Sequence, residues 1–221
     1  MKAHLNKEIE RLKKNIQILS SMVESAVRNS VVAVIETDRK LAERVIENDF
    51  LIDQKEIEIE EECLKILALH QPVAGDLRYV VACLKVNNEL ERIGDLGSNI
   101  ARRVKHLCDY NGADTAVDFK PMMDVTRGML KGALDSLICM NGQLAAEVIQ
   151  RDDIVDDYNR QMFIDLQELI KENPQKTEYY IDLLNVSRHL ERIADCTTNI
   201  CEDIIYMIKG EIIRHGHYND I

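Results

Sequence analysis

Four acidic pairs are the residues of this chain best placed to do chemistry: Asp49/Asp53, Glu91/Asp95, Asp152/Asp156 and Glu191/Asp195. Members four apart on a helix are separated by one turn plus about 40°, so each pair shares a face. Carboxylates held that close repel one another, and a bound cation turns the repulsion into attraction. Oxygen-only donor sets suit hard ions such as Mg, Mn, Ca and Fe. No His or Cys stands at these positions, which argues against zinc and copper. With 39 Asp and Glu among 221 residues, pairs at this spacing also arise by chance, and a solvated face is the alternative for any one of them.

The stronger signal is that the chain repeats itself. Residues 90–100 read LERIGDLGSNI and residues 190–200 read LERIADCTTNI. Upstream, LAERVIENDFLID at 41–53 is echoed by LAAEVIQRDDIVD at 144–156. Internal duplication that keeps acids at equivalent places points to two copies of one cation-binding or partner-binding surface. Asn99 and Asn199 extend the acidic stripe by a turn, as outer groups of a metal site or as interhelical hydrogen-bonders. Arg92 and Arg192 follow each Glu and offer guanidinium forks to a partner, or simply pair with a nearby acid.

These residues must be positioned by helices. Leu5, Ile9, Leu12, Ile16, Leu19, Val23 and Ala26 recur at steps of four and three, the seam of a long helix. Thr37-Asp38 breaks it, and a second helix runs from about 38 to His70-Gln71-Pro72. Asp76 is read as the cap of a third helix reaching about 108. Asn111-Gly112 marks a turn within a linker at 109–120. Pro121 opens a fourth helix, Asn141-Gly142 ends it, and a fifth spans about 142–172 to Asn173-Pro174. Thr177 is read as the cap of a sixth, reaching about 213. The expectation is an all-α protein of two tandem three-helix bundles, six long helices in all, with units at 1–108 and 121–221 and a frayed tail. Gly94 and Gly97, costly inside a helix, are read as places of close helix approach.

Composition excludes several classes. The net charge of −11 opposes sequence-independent nucleic-acid binding and adhesion to anionic lipid. No run approaches the roughly 18 apolar residues of a membrane span, and the N-terminus lacks a signal-peptide core, so a cytosolic protein is expected. The six cysteines form no C-x-x-C pair and read as reduced, packed thiols. There is no phosphate-cradling Gly-x-x-x-x-Gly-Lys-Ser/Thr loop. His189, two residues from Glu191, points to another side of its helix. His215-Gly216-His217 is a weak metal-binding possibility in the tail.

The segments VIENDFLID, ALHQPVAGDLRYV, ELERIGDLGSNIARR, HLERIADCTTNICEDI and YMIKGEIIRH together resemble the PhoU family of phosphate-transport accessory regulators, over about residues 5–215. The resemblance implies two similar three-helix bundles in a non-enzymatic, commonly dimeric protein. It also implies a cytoplasmic protein, peripheral to the inner membrane through its partners. The implied role is repression of the phosphate-starvation response when phosphate is plentiful. The implied partners are the ATPase of the phosphate ABC transporter and the sensor histidine kinase of the phosphate system. By position, the family's acidic motifs fall on Asp49, Asp53, Glu91 and Asp95, and on Asp152, Asp156, Glu191 and Asp195; the resemblance implies iron in some members, manganese or magnesium in others and no metal in some, and so does not fix the ion. Two rivals stay open: a helical metal-binding adaptor without a phosphate role, and a carboxylate-bridged metalloenzyme. The second typically needs Glu-x-x-His, which the chain lacks.

Overall fold

The protein's structure, a computed structural model, describes residues 2–110 and 117–210, with side chains from residue 4 onward. Asn111-Gly112, His215-Gly216-His217 and the frayed tail lie outside the described residues. The helices are α1 (Lys2–Glu36), α2 (Arg39–His70), α3 (Ala74–Leu107), α4 (Lys120–Cys139), α5 (Gly142–Ile149), α6 (Asp152–Glu172) and α7 (Thr177–Lys209). A 3₁₀ turn, Pro174–Lys176, precedes α7, and no strand occurs among the described residues. The all-α expectation of two tandem three-helix bundles holds. Helices α1, α2 and α3 pack together, as do α4, α5/α6 and α7, and α3 lies along α7 between them.

The α1 seam is buried as its periodicity requires: Leu12, Leu19 and Val23 are fully enclosed. By length and composition α1, from His4 to Glu36, is apolar enough to cross a membrane, contrary to the expectation that no segment qualifies. Its apolar residues are instead spent on the bundle core, which accounts for that hydropathy. Helices α3 and α7 carry the densest burial, because each faces its own bundle on one side and the other bundle on the opposite side. Lys85 meets Asp203 at 2.6 Å while Arg103 meets Asp182 at 3.2 Å, so the two helices run antiparallel.

Turn chemistry explains most boundaries. The Asp38 side chain accepts from the Leu41 N–H at 3.0 Å and starts α2. Gln71 ends it in the left-handed region, its N–H on the Leu67 carbonyl at 3.2 Å, with Pro72 next. Asn141 caps α5, accepting from the N–H groups of Gln143 and Leu144 at 3.1 Å each. Gly210 closes α7 at φ 79°, a conformation glycine tolerates.

Three local readings are corrected. The strut expected as one helix over 142–172 is interrupted at Gln150-Arg151. There the Arg151 N–H bonds the Val148 carbonyl at 3.0 Å and the Ile154 N–H bonds the Arg151 carbonyl at 3.1 Å, tightening the chain before it resumes as α6. Asp76 is not a cap: α3 begins at Ala74, placing Asp76 in the first turn, where its charge favours the helix dipole. Thr177 is the first residue of α7, and its hydroxyl donates back to the Pro174 carbonyl at 2.6 Å. The Pro174 turn has already set the chain direction there.

Candidate metal centres

In the first bundle, α2 contributes Asp49 and Asp53 and α3 contributes Glu91 and Asp95. The heptad-like burial of Val45, Ile52 and Ile59 on α2, with Gly94 of α3 against Ile52, fixes which faces meet, while Gly97 of α3 turns toward Ala26 and Val27 of α1. Close approach is built in at Gly94, where an added methyl would stand 3.1 Å from the Ile52 side chain. As a result Asp53, Glu91 and Asp95 each place a carboxylate oxygen within 4.8 Å of the others. Asp49 lies one turn up the same stripe and shares their field. Burial raises its pKa, the Ser98 hydroxyl opposes that, the negative charges of Asp95 and Asp53 raise it further, and Arg102 pulls it back. Glu91 is raised by burial and then by Asp95, Asp53 and Glu56.

The second bundle sets Asp152 and Asp156 at the start of α6 beside Glu191 and Asp195 on α7, near enough to raise one another's pKa, but among the described residues only the first bundle gathers three carboxylate oxygens within 4.8 Å. Asp152 is pushed up to about 6, by burial first and then by Asp195, Asp156, Asp153 and Glu191. One of its carboxylate oxygens, Oδ1, is buried without a hydrogen-bond partner. Glu191 is raised by burial, Asp195 and Asp156, and Asp195 by burial and Asp156. The helix interruption at Gln150-Arg151 puts Asp152 in the first turn of α6.

The two centres differ in residues the sequence reading did not single out. Arg102, whose guanidinium lies 3.7 Å from Asp49 and donates to the Asn99 amide oxygen at 2.8 Å, supplies a counter-charge in the first bundle. Its counterpart one hundred residues on is Glu202. Ser98 faces Asp49, whereas its counterpart Thr198 donates to the Asp195 carbonyl of its own helix at 2.7 Å. Conversely, Glu56 adds a fifth carboxylate to the first centre, held by Asn87 at 2.9 Å, where the second bundle has Asn159 held by Ser187 at 2.7 Å. Helix arithmetic could have found both: Glu56 is three residues past Asp53 and Arg102 three past Asn99.

The outer groups divide. Asn99 accepts from Arg102, whose guanidinium also lies near Asp49, and Asn199 is exposed. Arg92 pairs with Glu89 at 3.2 Å, and Arg192 is an exposed charge that eases Glu191 and Asp195 toward ionisation. His189 is partly buried and lowered to about 4 by burial and by Arg103, Arg192 and Arg188. It is therefore a neutral imidazole at pH 7. The six thiols are free; Cys63, Cys83 and Cys201 are buried, and burial raises all three.

An all-oxygen donor set, mutual repulsion and an orphaned buried acceptor fit a hard cation. Such an ion would supply positive charge that locks α2 to α3 and α6 to α7 through these residues.

The PhoU domain model matches the chain twice, over residues 16–104 and 119–204. A Phosphate-specific transport system accessory protein PhoU homolog from Pseudomonas putida is 36% identical over 95% of this chain and 82% of its own length. The homolog from Aquifex aeolicus is 35% identical over 98% of both chains. The crystal structure of PhoU from Pseudomonas aeruginosa superposes with a TM-score of 0.90 at 34% identity, covering 93% of this chain and 99% of that one. The PhoU regulatory protein of the phosphate transport system from Streptococcus pneumoniae gives 0.86 at 28% identity, covering 96% of this chain and 100% of that one. With a doubled domain match, near full-length relatives and the same helical frame around both acidic stripes, the chain belongs to the PhoU family.

Proposed function

We propose that this protein is a regulatory accessory of a phosphate-specific transport system and represses the phosphate-starvation response when phosphate is plentiful. The observation that carries the reading is near full-length similarity to relatives named as accessory proteins of that system. The protein works at the cytoplasmic face of the membrane, as a homodimer, between the transporter ATPase and the sensor histidine kinase. Coupling requires only that it bind one state of the transporter or kinase more tightly than the other. The acidic stripes, Asp49, Asp53, Glu91 and Asp95 with Asp152, Asp156, Glu191 and Asp195, bind hard cations (Fe, Mn, Mg or Ca) and fix the helix faces that partners meet. No step of catalysis is assigned to them.

The test is recovery of partners on the tagged full-length chain from phosphate-replete and phosphate-starved cells, with elemental analysis of the eluate. Kinase and ATPase should be retained, more in one condition than the other. Neutralising all eight acids to Asn or Gln should remove bound metal and weaken partner retention without loss of helix content. Recovery of neither partner in either condition refutes the regulatory reading, and recovery of both without metal refutes the cation alone.

A further inference from the structure

Helix α2 carries an apolar line that nothing among the described residues covers. Phe50, Ile57 and Leu64 are spaced seven apart and are 53%, 52% and 53% exposed. Seven residues return a helix to within about 20° of the same direction, so the three side chains form one ridge about 21 Å long. The ridge is flanked on one side by exposed Glu47, Glu58 and Glu61 and on the other by exposed Asp53 and Glu60. Lys65 is the one base on these flanks, and Glu58 is partly answered by Lys55 at 2.7 Å. The second bundle has no such ridge. At the equivalent places stand Asp153, Arg160 and Gln167, and its exposed Ile154, Phe163 and Ile164 do not recur at seven. On this face the duplicated halves differ in character, apolar in the first and polar in the second.

We propose that the outer face of α2 is the docking site for an amphipathic, basic helix of a partner protein. A seven-residue apolar repeat matches the seam that one helix presents to another. The acidic flanks set the partner's sign, because Lys or Arg beside its apolar line would meet the carboxylates of Glu47, Glu58, Glu60 and Glu61. A second copy of this chain would set those flanks against each other, which disfavours it as the occupant. An anionic bilayer is repelled for the same reason. The inference goes beyond the phosphate reading and does not depend on it.

The test uses the full-length chain and a fluorescent helical peptide of about 20 residues, with Leu at heptad seam positions and Lys elsewhere, beside a twin carrying Glu for Lys. The Lys peptide should bind, and the Glu twin should bind at least about tenfold more weakly. Ile57→Asp should weaken the Lys peptide at least about tenfold, although its added negative charge would strengthen a purely electrostatic attraction. Leu64→Ser should weaken it without any charge change, and Ile164→Asp on α6 should leave it unaltered. Equal or tighter binding by Ile57→Asp overturns the proposal. So does self-association, or binding to anionic vesicles, that Ile57→Asp abolishes.

Discussion

The Asp152 carboxyl, pushed up to about 6 chiefly by burial, holds a proton in the folded chain where the unfolded chain has released it. The stabilisation is complete below the unfolded value near 3.8 and is lost as pH rises through about 6. Without metal, the Asp152 contribution to stability should therefore decline between pH 4 and pH 6, and Asp152→Asn should remove that decline, a change on the order of 1 kcal/mol, about 2–4 °C in a chain of this size. His189 acts in the opposite sense. Its value is lowered to about 4, so its contribution is present above about 6.5 and is lost as pH falls. Comparing Asp152→Asn with His189→Gln by calorimetry across this range separates the two. Manganese should reverse the Asp152 slope, because an ion stabilises the ionised form; an unchanged slope with manganese would remove Asp152 from any cation site.

Helix ends and helix contacts hold those residues in register. Asn141 satisfies two otherwise open N–H groups at the start of α5. Asn141→Ala should cost about 1 kcal/mol, read as a lower urea midpoint at constant m-value. Gly94 marks the tightest passage of α2 over α3. Gly94→Val should destabilise by about 1–3 kcal/mol through crowding of Ile52, and Ile52→Ala should recover part of the loss. Independent, additive effects of the two changes would show that they do not touch. Helix identity and most breaks were legible because Pro72, Pro121, Asn141-Gly142 and Asn173-Pro174 act locally. The interruption at Gln150-Arg151 was not, since neither residue disfavours a helix.

The seam of α3 along α7 joins the two bundles. Cutting the chain after residue 110 would expose the half of α3 that α7 covers, so the first bundle alone should self-associate in sedimentation where the full chain does not grow further. Monomeric behaviour of that fragment would mean the α3–α7 contact contributes little. The seam is also where pseudo-symmetry fails usefully. Lys85–Asp203 and Arg103–Asp182 pair across it, and neither pair is a repeat of the other.

Spacing alone determined that this chain is helical, doubled, and striped with acids at matched places, because helix periodicity and turn chemistry are local and survive in one dimension. The approach of Asp53, Glu91 and Asp95 to within 4.8 Å was decided by the packing of α2 on α3. The buried, unpartnered oxygen of Asp152 was decided by the packing of α6 on α7. Charge, burial and counter-charge depend on which helices lie side by side, and that neighbourhood exists only once the chain has folded.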